Sequence, residues 1–375
     1  SSRGPQPSRT SNQKDFRRKS YPLPTGGGSG GGACSLVRIH EGGFDMPVAA
    51  LIYDFDKTLS PRDMQEYSFL PGINVEPDVF WAECREVQLK HNMDSVLAYM
   101  LMMKRRSAGT RMLTRESLNR LGAEVAFFPG VETWFGRVNR IGAELGVEVE
   151  HYIISSGLRE IIEGSRIAGA FKAIFAASFV YGDDGLAEWP ATSVNYTEKT
   201  QHLFRINKGI LNITNDRDLN GFTPEYKRRV PFANMIYVGD GLTDVPCMKM
   251  TRTRGGTSIA VHAEGETSLS DNMVLQGRCD YAVLADYSEG SEIESVVRLL
   301  LSRIAANAAC LSVYHFSHQF RRYTGTTVGA YINGLRMQKA IELLSTTDKK
   351  VIDIAVECGF SDIQKLYRRP KYHKP

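Results

Sequence analysis

The chain has 375 residues, with 46 Lys and Arg against 42 Asp and Glu, a net charge of +4 and 42% hydrophobic residues. This composition excludes a wholly disordered chain, and no stretch approaches the roughly 20 apolar residues of a membrane-spanning helix. The length suits one α/β domain with an insertion plus a small helical domain, so the function lies in local motifs rather than in bulk charge.

Residues 1–44 are rich in Ser, Pro, Gly and Arg, include the linker-like run 25–33, and have few apolar residues to bury. Residues 1–46 are therefore expected to be a disordered, low-complexity segment. They lack the apolar stretch of a signal peptide. Six scattered cysteines (Cys34, Cys84, Cys247, Cys279, Cys310 and Cys358) form no CxxC pair and no metal-ligand spacing. Free thiols in a reducing cytoplasm are the expectation.

Just after Met46, an apolar run ends in Tyr53-Asp54-Phe55-Asp56-Lys57-Thr58. In a strand, residues i and i+2 point the same way, so Asp54 and Asp56 would face one reaction centre at the strand's carboxyl end. Residues 62–127 read instead as amphipathic helices, with Phe80, Cys84 and Val87 on one face and Val96, Leu97, Met100 and Leu101 on another. Arg105 and Arg106 within this interval could contact an anionic substrate.

A second strand, 147–154, runs into Ser155-Ser156-Gly157, whose hydroxyls and N–H groups could bind phosphate oxygens. The helical stretch 199–208 then offers a cation at either end, Lys199 or Lys208. A third apolar run, 235–239, ends in Asp240-Gly-Leu-Thr-Asp244. Carboxylates gathered at strand ends make a hard oxygen site of the kind that holds Mg2+.

In this order the motifs resemble those of the haloacid-dehalogenase superfamily, especially its phosphoserine-phosphatase-like branch. The resemblance covers 47–306 and implies an α/β, Rossmann-like core with a parallel sheet, an inserted helical C1 cap at about 62–127, and Mg2+-dependent hydrolysis of a small phosphorylated metabolite through an aspartyl phosphate. It implies Asp54 as nucleophile and metal ligand, and Asp56 as general acid and base that also gives its backbone carbonyl to the metal. Thr58 would orient that acid. Ser155 or Ser156, with Gly157, would bind the phosphoryl group, and Lys199 or Lys208 would neutralise charge. Asp240 would ligate the metal, and Asp244 would hold its shell from one layer out. Asp63 stands where phosphoserine-specific members carry a substrate-binding acid.

The last part of the chain differs in charge: residues 311–375 hold 11 Lys and Arg against 5 Asp and Glu. Helical patterns at 311–325, 328–344 and 351–362 are punctuated by Gly325 and by Ala355 and Gly359, four apart, as in a helix-turn-helix. They resemble the AraC/XylS-type DNA-binding domain. The resemblance implies a small all-α module at 307–375 in which Tyr314, Ser317, His318 and Arg321 face the major groove of double-stranded DNA, with Arg322 and Lys339 at phosphates. The first unit would borrow its opening helix from 302–309, the end of the preceding domain. Cys310 stands where the second unit has Gly359, and Pro370 falls where the second recognition helix should bury an aromatic residue, so the module reads as partial. A cytoplasmic phosphatase fused to this module is the leading expectation; a transcriptional regulator using the α/β domain as a ligand sensor is the alternative.

Overall fold

The computed structural model of the protein describes residues 46–110, 112–308, 321 and 324–360, Tyr226 by its backbone alone. All belong to one compact unit, 44–375. The disorder expected for 1–45, the positions Tyr314, Ser317, His318 and Arg322, and Cys310 and Pro370 lie outside the described residues.

A seven-stranded sheet organises the α/β part, in the order β4-β3-β2-β1-β5-β6-β7. Its strands are β1 Val48–Tyr53, β2 Glu148–Leu158, β3 Ala173–Tyr181, β4 Ala187–Thr192, β5 Met235–Gly239, β6 Thr257–His262 and β7 Tyr281–Leu284. Every neighbouring pair is parallel except β3 with β4. This is the α/β class expected. β1 is buried along its whole length, which suits its unbroken apolar sequence, because a parallel strand is covered on both faces. Ala49, Leu51 and Tyr53 enter one core cluster, while Val48, Ala50 and Ile52 enter the other.

From β1 the chain goes out to β2 and β3 on one side, then returns to β5, β6 and β7 on the other. The switch point lies between β1 and β5, where such sheets open a crevice at the carboxyl ends of their strands. The β1 and β5 sequences place Asp54 and Asp240 at that crevice.

Between β1 and β2 lie a 3-10 turn, Met64–Glu66, and helices α1 Phe69–Gly72, α2 Pro77–His91, α3 Ser95–Arg106, α4 Arg115–Gly122 and α5 Val131–Leu145. Proline at its first position starts α2, and Asn92 in the left-handed region (φ 47°) stops it. Asp94 caps α3 by accepting the Val96 and Leu97 N–H groups at 2.9 and 3.1 Å. Phe80, Cys84, Val96 and Met100 are buried as their spacing suggested; Val87, Leu97 and Leu101 are half-buried, and Tyr99 joins the buried face.

After β2 come α6 Arg159–Glu163, α7 Glu198–Lys208, α8 Asp216–Asn220, α9 Val245–Thr253, α10 Ser268–Leu275 and α11 Glu292–Ala308. Ile293, Val297, Leu300, Leu301 and Ile304 of α11 belong to the same core cluster as β1. The C-terminal helices are α12 Val328–Thr346 and α13 Val351–Glu357. They share a separate small core of Ala340, Ile354, Ala355, Cys358 and Phe360. Gly359, at φ 71°, makes the turn that a side chain would strain. Among the described residues no helix is long and apolar enough to cross a membrane.

Candidate active site

β1 ends at the site. The Asp54 N–H bonds the Val238 carbonyl of β5 at 2.9 Å, so strand pairing extends to the carboxylate residue itself. Asp54 is 6% exposed; its Oδ1 accepts the Phe55 N–H at 2.7 Å, and its Oδ2 lies 2.8 Å from Lys199 Nζ. Lys199, fully buried in the first turn of α7, also donates to Asp244 Oδ1 at 2.8 Å. The Tyr237 hydroxyl donates to the same oxygen at 2.7 Å, and the Gly241 N–H reaches Asp244 Oδ2 at 3.3 Å. Both Asp244 oxygens are thus engaged within the protein. Asp240 is less bound: the Thr58 hydroxyl donates to its Oδ1 at 3.3 Å.

One carboxylate oxygen each from Asp54, Asp240 and Asp244 lies within 4.8 Å of the other two. Three carboxylates against one lysine leave the centre over-supplied with negative charge. Burial, then Asp244, pushes Asp54 up to about 6 despite Lys199. Burial, then Asp244 and Asp54, pushes Asp240 up to about 8. For Lys199, burial opposes the ammonium, yet Asp244 and Asp54 outweigh it and hold the lysine above its ordinary value. An all-oxygen, electron-rich set of this size fits a hard divalent cation, whose charge would restore the ionised carboxylates.

Asp56 sits beside this cluster and accepts the Met64 N–H at 2.8 Å. Burial, then Asp63 and Asp54, holds it well above the usual carboxylate range, which favours the protonated form of an acid. Lys57, between the two aspartates and Thr58, takes a left-handed backbone (φ 57°), and its Nζ pairs with Asp63 at 2.9 Å. Asp63, the candidate substrate-binding acid, therefore already has a cation. Arg105 and Arg106 are exposed, and Arg106 pairs with Glu83 of α2.

β2 runs on past the expected end at 154, and in its last residues, where pairing with β3 shifts register between Ile154 and Leu158, Ser155 is buried and Ser156 half-buried. Ser155 Oγ accepts the Gly157 N–H at 3.0 Å. Glycine at 157 leaves room for its neighbours: a Cβ there would lie 2.1 Å from Met64 Cε and 2.9 Å from Asp56 Oδ2, so both side chains would have to shift. Of the two candidate lysines, Lys199 is in the carboxylate cluster, whereas Lys208 ends α7 and donates to the Leu219 and Gly221 carbonyls at 2.5 and 2.6 Å. Arg321 and Lys339 of the C-terminal region are exposed.

Three tyrosines that the motifs did not mark support this centre. Tyr237 holds Asp244. Tyr287, fully buried after β7, donates to the Thr58 carbonyl at 2.8 Å, and Tyr99 of α3 donates to the Ser156 carbonyl at 2.7 Å. No local sequence pattern distinguishes them from ordinary core tyrosines.

The mostly parallel sheet, with helices inserted after β1, gives the core a Rossmann-like α/β fold. Residues 305–373 match the model of a helix-turn-helix domain family. Over 67 residues, 17% of this chain, the sequence is 42% identical to the HTH-type transcriptional activator RhaS of Enterobacter sp. strain 638 and spans 24% of that activator's length. A HAD family hydrolase from Salmonella enterica serovar Typhi is similar in structure, with a TM-score of 0.45 and 16% identity, covering 68% of this chain and 72% of that one. An uncharacterized protein of Borreliella burgdorferi is 31% identical over 274 residues, 66% of this chain and 94% of the relative, and the chain belongs to the family of that protein.

Proposed function

We propose that residues 47–306 form a Mg2+-dependent phosphomonoesterase acting on a small phosphorylated molecule through an aspartyl phosphate, with the inserted helices as its cap. The observation that carries this reading is Lys199 bridging Asp54 and Asp244 at 2.8 Å each, inside a cluster of three carboxylates at the switch point of the sheet. An ion bound by Asp54 and Asp240, with the Asp56 backbone carbonyl, would supply the positive charge that lets an anionic phosphate approach an anionic nucleophile.

Asp54 Oδ attacks phosphorus, forming the O–P bond as the ester P–O bond breaks. Asp56 gives its proton to the departing alkoxide; its raised affinity for that proton suits the task. As carboxylate, Asp56 then takes a proton from the water that cleaves the phospho-enzyme, returning Asp54 and releasing inorganic phosphate. Ser155 binds a phosphoryl oxygen through its hydroxyl, which the Gly157 N–H orients at 3.0 Å, and Lys199 balances the charge. Asp244, with both oxygens engaged by Lys199, Tyr237 and Gly241, orients the lysine and the metal shell rather than reacting.

Turnover of p-nitrophenyl phosphate with and without Mg2+, beside Asp54→Asn, tests the reading. Magnesium-dependent turnover abolished in the variant supports it; no turnover, also across a phosphomonoester panel, removes it.

The match of 305–373 to a helix-turn-helix domain favours a second activity, binding of double-stranded DNA by a module at 307–375 with Tyr314, Ser317, His318 and Arg321 at the groove. In the alternative reading, a regulator, Asp54→Asn would alter ligand response and leave no turnover to lose. A reducing, cytoplasmic setting suits both activities.

A further inference from the structure

The Ser156–Gly157 peptide is held from both ends by different parts of the molecule. Its N–H donates to Ser155 Oγ within the end of β2, while its carbonyl accepts the hydroxyl of Tyr99, a residue of α3, 57 positions earlier in the chain. A peptide unit is planar, so a grip on the carbonyl oxygen also sets the direction of the Gly157 N–H on the opposite side. The backbone at Gly157 passes close to Met64 and Asp56: a Cβ built there would lie 2.1 Å from Met64 Cε and 2.9 Å from Asp56 Oδ2.

Tyr99 is well placed for this. It is 6% exposed, its ring meets Trp81 edge-on with centroids 6.2 Å apart, and the Trp81 indole N–H donates to Glu66 Oε1 at 2.9 Å. Burial, then Asp56, keeps the phenol protonated and therefore a donor.

The same helix has a second attachment. Asp94, which caps α3, also accepts the Asn195 side-chain amide. The Asn195 backbone carbonyl in turn accepts the Lys199 N–H at 3.1 Å, in the opening turn of α7. One helix of the insertion is thereby fastened to the end of β2 bearing Ser155 and Gly157 and to the helix bearing Lys199.

We propose that Tyr99 is a positioning residue: its hydrogen bond to the Ser156 carbonyl aligns the peptide that orients the phosphate-binding Ser155 hydroxyl only when α3 is seated, so that cap closure and assembly of the phosphoryl site are one event. This rests on the phosphatase reading above. It makes the cap a working part of the phosphate site as well as a cover over the leaving group.

The experiment is steady-state turnover of p-nitrophenyl phosphate by the full chain, with inorganic phosphate as competitive inhibitor, for wild type, Tyr99→Phe and Asn195→Ala. Thermal unfolding is measured beside it. Tyr99→Phe is expected to keep its Tm within about 2 °C of wild type, since the ring stays in place. Its kcat should fall about tenfold and its inhibition constant for phosphate rise about fivefold, the size expected for one lost hydrogen bond at a preorganised site. Asn195→Ala removes the other attachment without touching the phenol, and should show the same two changes in smaller measure. Values within twofold of wild type for kcat and phosphate inhibition in Tyr99→Phe would overturn the proposal, as would a loss of kcat that only follows the fraction unfolded. A wild type without turnover removes the phosphatase reading and this proposal with it; turnover in wild type with an indifferent Tyr99→Phe removes only the proposal.

Discussion

The carboxylate centre and the C-terminal helices of this chain use side chains in opposite ways. At the ends of β1 and β5, Asp54, Lys199 and Asp244 are buried and engaged on nearly every polar atom. On α12 and α13, by contrast, Tyr331, Leu335, Ile341, Leu344, Ile352 and Val356 are exposed around a core of five buried residues. Buried charges interact strongly and lose much when one partner is removed; exposed groups make few such coupled contacts and act nearly independently. Substitutions in the first region should therefore change stability and chemistry together, and those in the second should change one binding event at a time.

The largest expected effect is on turnover. If the proposed phosphatase reading holds, Asp54→Asn removes the nucleophile and should lower kcat at least about a thousandfold, roughly 4 kcal/mol of barrier, in a p-nitrophenyl phosphate assay. DNA affinity, measured by fluorescence anisotropy on the same protein, should stay within twofold. A joint loss of both would show that the two regions are not separable.

Lys199→Ala tests whether the buried charges are interdependent. It leaves Asp54 and Asp244 facing each other without a cation, so chemical denaturation should show a loss of about 3–5 kcal/mol. Saturating Mg2+ should restore part of that stability, because binding to the folded state alone stabilises it. Equal stability of wild type and variant without metal would contradict the picture of an interlocked centre.

A smaller effect concerns pH. His202 of α7 stacks on Phe175 with ring centroids 4.4 Å apart, and neither ring nitrogen has a hydrogen-bond partner among the described residues. Burial, then Arg205 and Arg159, lowers it to about 3. In the unfolded chain a histidine takes up a proton near pH 6.5, so between about pH 6.5 and about 3 the unfolded state binds more protons. Stability must then fall as pH falls through that window. His202→Phe should flatten this part of a Tm-against-pH curve; parallel curves for the two proteins would show that His202 is not held neutral.

Arg321→Ala should be the mildest change. Loss of one exposed cation is expected to weaken binding to duplex DNA by about 1–2 kcal/mol and to leave phosphatase turnover unchanged. Equal DNA affinity in wild type and variant at low and moderate salt would remove Arg321 from the interface.

The same contrast explains what could be read from sequence. The β1 and β5 motifs carry their meaning locally, since an apolar strand that stops on carboxylates delivers them to the sheet's edge. Lys199 and Lys208 could not be told apart because they share one helix with similar surroundings in sequence, and only tertiary packing buries the first among aspartates. Strands β3, β4, β6 and β7, which no motif announced, build the sheet outward from the three that carry the motifs. Tyr99, Tyr237 and Tyr287 were invisible for another reason. Their partners are distant in sequence or set by loop geometry, as with the Tyr287 hydroxyl and the Thr58 carbonyl, 229 residues apart. The pairing of Asp63 with Lys57 likewise depends on the left-handed turn at Lys57, which favours glycine or asparagine more than lysine.

Helix α11 ends at Ala308, while the helix-turn-helix match begins at residue 305, and Ile304 just before it is packed in the core of the α/β sheet. The helix-turn-helix match therefore takes in the last turn of that helix. An expression boundary placed before residue 305 takes the final turn from the sheet's covering helix, and one placed after 308 takes the opening residues from the helix-turn-helix match. Neither cut leaves both parts with this turn, so quantitative work on either part is best done on the joined chain.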